Sequence, residues 1–181
     1  MSKNSKIPES KQDNNKKVIF SKKEILAYLL EIIVVVFIVT MCLRVTVVDG
    51  SSMYPTLVDQ QKCFTSPILY MIGSPKRFDV IVIDERQKPM GKYLVKRIIG
   101  LPGEKVRIDE DGIIYINGEI LEENYGYETI LDPGLAINEI QLGDDEYFVL
   151  GDNRNHSGDS RFESVGNIPS SDIVGKLVFY K

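Results

Sequence analysis

The sequence predicts a mainly β chain: a β-sheet or barrel core behind a single N-terminal transmembrane helix, with a small inserted β region. Three observations predict it. Residues 25–43, ILAYLLEIIVVVFIVTMCL, form one apolar run whose single charge is Glu31. From Arg44 on, short β-branched runs separated by Gly, Pro and Asn turns replace any helical period. Between two such runs, residues 119–140 are acidic and read as an excursion from the core.

Taken in order, residues 1–24 form a basic tail. They carry seven lysines against Glu9, Asp13 and Glu24, and the Lys/Ser/Asn/Gln-rich part to residue 20 reads as disordered. The apolar run at 25–43 has the length needed to cross a bilayer. No small-residue cleavage site follows it, since Val39-Thr40-Met41-Cys42-Leu43-Arg44 offers none. Lysines precede the run, and the positive-inside rule then puts the N-terminus in the cytoplasm and residues 44–181 outside. Glu31 lies near the cytoplasmic end, where a carboxylate can snorkel to the interface. From Arg44 on the chain carries 15 basic and 22 acidic side chains, so it lacks the basic surface that nucleic-acid binding requires. Cys42 and Cys63 fall on different segments, and no disulfide is expected.

Arg44-Val45-Thr46-Val47-Val48 reads as a strand leading into a turn. Phe78–Asp84, Tyr93–Ile99, Lys105–Ile108 and Ile113–Ile116 are further strands, the last two joined by the hairpin turn Asp109-Glu110-Asp111-Gly112. Asn117-Gly118 signals another turn. Tyr147–Leu150 and Ile173–Tyr180 supply the later strands. Residues 105–140 are the expected inserted hairpin and loop region.

Three segments carry chemistry. Ser51 and Ser52 lie between Gly50, which permits a tight backbone path, and Pro55, which fixes the exit. By itself that is a turn. Lys96 sits in the strand from Tyr93, and alternation puts Leu94, Lys96 and Ile98 on one face. If that face is buried, desolvation lowers the lysine pKa, and a neutral amine can take a proton from a serine hydroxyl. If it is exposed, the lysine merely guards an edge strand. The third segment runs from Gly151 to Arg161, polar or glycine throughout, at the end of an apolar strand. There Asp159 and Arg161 are placed to pair, and Ser157 to orient a nearby amine. The segment lacks the ligand spacing of a calcium loop. The chain's one histidine, His156, has small polar neighbours and reads as a solvated bystander.

Together these segments resemble bacterial type I signal peptidase, the leader peptidase family. Ser52-Met53-Tyr54-Pro55-Thr56-Leu57 matches its nucleophile box. Tyr93 to Gly103 matches its lysine box, Gly151 to Arg161 its last box, and Arg77–Val82 the strand box between. The likeness runs from the anchor to residue 181. It implies a signal-peptidase-like β core, Ser52 as nucleophile, Lys96 as general base and Ser157 holding the lysine amine. It implies Asp159 and Arg161 as a bracing salt bridge, and one oxyanion donor from the Ser52 backbone N–H. Some members carry a second donor, a serine, two residues before the nucleophile; here that position is Gly50, and the second donor stays open. Lys96 stands where the endoplasmic-reticulum type has histidine.

The resemblance implies a serine endopeptidase that removes N-terminal signal peptides with small residues at −1 and −3, and Met53 and Leu57 are candidate subsite walls. No cofactor or metal is expected. The expected partners are signal peptides of exported proteins and the lipid bilayer, with the secretion machinery a further candidate. Ile68–Ile72 is a second candidate lipid contact, or else core. Two other classes compete: a serine–lysine autoprotease of the repressor-processing type, and a non-catalytic membrane-anchored binding domain.

Overall fold

A computed structural model describes residues 21–179. Residues 1–20, where a disordered tail is expected, and Tyr180, the expected end of the last strand, lie outside them. The chain divides into two compact units, one ending at Ile38 and the other beginning at Val39.

Helix α1 (Lys22–Cys42) opens with a capping box: Glu24 N–H donates to Ser21 Oγ and Ser21 N–H to Glu24 Oε2. From Ile25 to Phe37 its side chains are exposed, and all but Glu31 are apolar or aromatic. The side chains of Ile38 and Met41 lie outside the described residues, and among the described residues no helix is long and apolar enough to cross a membrane.

The rest is mainly β, as the alternating runs predict. One antiparallel sheet has β1 (Arg44–Val47), β2 (Lys62–Ser66), β3 (Val80–Asp84), β4 (Tyr93–Gly100), β9 (Glu146–Leu150), β10 (Ile168–Pro169) and β11 (Ile173–Phe179), in the order β1-β2-β11-β3-β4-β9-β10. β1 and β10 are its two edges, so the core is an open sheet and not a closed barrel. A second sheet, in the order β7-β6-β5-β8, is built from β5 (Lys105–Ile108), β6 (Ile114–Ile116), β7 (Glu119–Ile120) and β8 (Ile140–Gln141). The β5–β6 hairpin forms at the expected turn, and Asn117 and Gly118, both with positive φ, make the two-residue link to β7. Only short 3-10 turns are helical among the described residues after α1.

β2 gave no sequence signal because its inward positions are Cys63 and Thr65 while Phe64 faces out, which inverts the usual alternation. β3 and the C-terminal half of β4 are buried on both faces. On one side of β4, Leu94 and Ile98 join a cluster with Ile81, Ile83 and Val149. On the other, Ile99 packs with Val106, Ile108 and Phe148 and so ties the two sheets together. The packing is tight at Gly100, where an added Cβ would stand 2.6 Å from Val106 Cγ2 and 2.8 Å from Leu142 Cδ1.

Gly100→Ala is therefore expected to destabilise the fold by about 1–3 kcal/mol through overpacking. A urea-unfolding midpoint equal to that of the parent protein would show that the second sheet yields instead.

Candidate active site

The turn that carries Ser52, from Gly50 to Leu57, is held from beneath. Met53 and Leu57 are fully buried with Val80, Val82 and Leu177, and Leu57 N–H closes a turn on Met53 O. The Tyr54-Pro55 peptide bond is cis. Gly50 has φ +94°, a conformation that L side chains rarely adopt, and its N–H donates to Asp59 Oδ1 at 2.7 Å. That bond occupies the Gly50 amide and holds the Asp59 carboxyl below its ordinary range.

Lys96 comes from the middle of β4, opposite Ile81 of β3. Its side chain is 2 % exposed, and its Nζ stands 2.7 Å from Ser52 Oγ. The alternation reading of β4 holds as far as Lys96: Tyr93 is exposed, Leu94 buried, Val95 intermediate and Lys96 buried. Burial lowers the Lys96 pKa from 10.5 to about 8. The nearby Asp159 and Asp152 carboxylates work against that shift, while the Lys92 and Arg161 charges add to it.

The Gly151–Arg161 loop closes over this pair. Asp159 takes both arms of Arg161, with Nε at 2.8 Å and Nη2 at 3.0 Å, and both residues are buried. Asp159 Oδ2 also accepts the Gly151 N–H at 3.1 Å. The loop needs glycine at 151, because a Cβ there would meet Ser157 Oγ at 2.3 Å and Ser52 O at 2.4 Å. Ser157 thus lies beside the nucleophile segment, but its Oγ is buried with no hydrogen-bond partner among the described residues. The structure does not bring it into the expected hydrogen bond with the Lys96 amine. His156 is exposed at the rim.

Four residues that sequence reasoning missed bind the three segments together. Arg97 forms a buried two-pronged pair with Asp152, Nε to Oδ1 at 2.8 Å and Nη2 to Oδ2 at 2.6 Å. Thr56 of the Ser52 turn donates to the same Asp152 carboxylate. Asn153 donates its backbone N–H to Ser52 O and its side-chain amide to Ser51 O, each at 3.0 Å. Arg97 falls on the opposite face of β4 from Lys96, and nothing local signals that this face is also covered, by Tyr125 stacked 3.8 Å over the guanidinium.

A cavity of about 440 Å³ opens on Ser52 and Lys96, with Thr46–Met53 on one wall and Tyr93–Lys96 on the other. Three strands separate β1 from β4 in the sheet order, so the sheet curls to bring them to one cavity. Met53 lines it; Leu57 does not, being buried in the core behind.

The chemistry this arrangement can do is proton transfer from a serine hydroxyl to an amine, and its residues have relatives. The family model described as signal peptidase, peptidase S26, matches residues 21–180. Signal peptidase I P of Bacillus subtilis subsp. natto is 34% identical over 179 residues, spanning 91% of this chain and 94% of that protein. A probable signal peptidase I-2 of Synechocystis is 35% identical over 133 residues, which is 71% of this chain and 58% of that protein. A crystal structure of a signal peptidase I from Enterococcus faecalis is 33% identical, with a TM-score of 0.45 over 59% of this chain and 98% of that one. A match from residue 21 to residue 180, with relatives a third identical over most of the chain, means that this chain belongs to the signal peptidase family, peptidase S26.

Proposed function

We propose that Ser52 is the nucleophile and Lys96 the general base of a membrane-anchored endopeptidase that removes signal peptides from exported proteins. The reaction class follows from family membership: the chain is a serine endopeptidase of the signal peptidase type. The assignment of roles rests on one observation, the 2.7 Å separation of Ser52 Oγ and a lysine Nζ whose burial favours the neutral amine.

In the proposed sequence, Ser52 Oγ attacks the scissile carbonyl carbon as its proton passes to Lys96 Nζ. The carbon–nitrogen bond breaks and the departing amine takes that proton, leaving the signal peptide esterified on Ser52. Water then attacks the ester, again yielding its proton to Lys96, and the acid leaves with Ser52 restored. Asp159 and Arg161 brace the loop above the amine, and the buried, unpartnered Ser157 hydroxyl is the group assigned to hold that amine.

The substrate has a ready slot. β1 pairs with β2 alone, so its other edge is open among the described strand pairings. β9 pairs with β4 only from Arg97 onward, which leaves Tyr93–Lys96 open on that side. An extended peptide laid between the two edges completes both, and alternate side chains point into the cavity. Val48, Met53, Leu94 and Val95 make its wall apolar, in keeping with small apolar residues at −1 and −3.

Residues 25–43 are proposed as the anchor, with residues 1–24 cytoplasmic, 44–181 extracytoplasmic and 105–140 an insertion in that domain. The support is the single charge in 19 residues and the lysines before it.

Three outcomes are expected. Ser52→Ala and Lys96→Ala, assayed separately on a signal-peptide substrate, each lose about a thousandfold or more of kcat/KM; near-parental activity in either variant refutes the dyad. For pH, the protonated lysine cannot accept a proton, so kcat/KM falls about tenfold per unit below the lysine pKa of about 8 and levels above it. A flat profile through that region rules Lys96 out as the titrating base. On membranes, sodium carbonate leaves the full chain in the pellet, and its release to the supernatant would remove the anchor from the proposal.

A further inference from the structure

The open side of the active site carries a second lysine that the mechanism above does not use. Lys92 stands four residues before Lys96, in the bend just ahead of β4. Both side chains line the same cavity. Lys92 Nζ is held at 3.4 Å by Asp49 Oδ2, on the opposite wall next to Gly50. The Lys92 backbone is fixed as well: its carbonyl accepts the Glu85 N–H at 3.1 Å, closing the β3–β4 hairpin. Lys88 braces that hairpin through Glu85, at 3.0 Å, and Asp172.

Resting on the Ser52–Lys96 reading, we propose that Lys92 is a positioning residue whose ammonium, held over the cavity mouth by Asp49, biases Lys96 toward the neutral amine that accepts the Ser52 proton.

The charges around Lys96 explain why this one matters. Behind it, Asp159 is paired with Arg161 and Asp152 with Arg97, yet both carboxylates still favour the charged amine, Asp159 most of all. In front, Lys92 is the only other Lys or Arg among the described residues lining the cavity, with His156 at the rim and Asp49 opposite. Among the charges bearing on the Lys96 amine, Lys92 is the largest that opposes its protonation, after burial itself. Lys92 and Asp49 are 50% and 75% exposed, so their influence is screened by water and by salt. It is a tuning contribution on top of desolvation, and an adjustable one: a substrate that displaces Asp49 from Lys92 leaves the ammonium unpaired beside the base.

The test is the pH dependence of kcat/KM on a signal-peptide substrate at low ionic strength. It compares the parent with Lys92→Met, Lys92→Arg, Asp49→Asn and His156→Gln, with Lys96→Ala as reference. Lys92→Met, which keeps length and loses charge, should move the acid limb up by about 0.3–0.5 pH unit. Lys92→Arg should restore the parental limb, Asp49→Asn should move it down, and 1 M salt, with a Debye length of about 3 Å, should merge the profiles. A Lys92→Met limb that overlays the parent at low salt overturns the inference. So does a uniform loss at every pH with the limb unmoved, or a limb that follows His156→Gln instead. If Lys96→Ala keeps its activity, the dyad itself has failed; if it is dead and the Lys92→Met limb does not move, only the role of Lys92 falls.

Discussion

The structure around Ser52 depends on one buried ion pair, Arg97 with Asp152. Three segments distant in sequence meet there: β4 through Arg97, the Ser52 turn through Thr56, and the loop after β9 through Asp152 itself. Arg97 also donates to Phe78 O at 2.8 Å and lies beneath Tyr125, so four strand or loop segments converge on one guanidinium. A buried ion pair is weak evidence for net stability, because desolvating both charges offsets most of their attraction. Its directional bonds, however, admit one arrangement of the partners. Lys96 is the next residue along β4 and Asn153 the next after Asp152, and Asn153 clasps Ser51 and Ser52. The pair thereby fixes both ends of the 2.7 Å contact between Ser52 and Lys96 through their immediate chain neighbours.

That contact sets two demands against each other. A lysine amine is a base near neutral pH only if its ammonium is made costly, and here burial does so, lowering the pKa from 10.5 to about 8. The shift corresponds to a cost on the order of 3 kcal/mol for keeping the charged form inside the fold below that pH. The unfolded chain binds the proton more tightly, so this cost is present in full below about pH 8 and is relieved as pH rises toward 10.5. Asp159 and Asp152 moderate the penalty and, by the same action, weaken the base's bias toward neutrality. Pairing each with an arginine resolves the conflict. The carboxylates stay near enough to order the loop through Gly151 N–H and Thr56, while the guanidiniums limit how strongly they hold a proton on Lys96.

Most of this was legible in the sequence wherever a pattern is local. Strand alternation put Lys96 on one face with Leu94 and Ile98 while leaving open whether that face is buried, and the polar run from Gly151 to Arg161 announced a hydrogen-bonded loop. What sequence could not carry was coverage of the second face. Arg97 alternates with Lys96 and so falls opposite it; only the arrival of Tyr125, from 28 residues along the chain, makes that face interior. Leu57 illustrates the reverse. It and Met53 are both expected subsite walls and both are buried in one cluster, yet of the two only Met53 also lines the cavity. β2 escaped notice because small polar residues occupy its inner positions.

The open edges follow from the same economy of contacts. An exposed edge strand is a liability that proteins usually blunt with charge, brevity or cover. β1 is only four residues long and carries Val45 and Val47 outward, and the open stretch of β4 ends at Lys96. What guards the gap between them is the Lys92–Asp49 pair at its mouth, a weak and exposed bridge in place of a permanent strand. A strong closure would seal the slot against substrate, and none at all would invite any extended chain. Under the proposed substrate path, a weak ionic latch leaves an incoming peptide to compete on backbone hydrogen bonds and on the fit of small apolar side chains against Met53 and Val95. In that proposal selection falls on the peptide's shape, and the charges at the mouth act on Lys96.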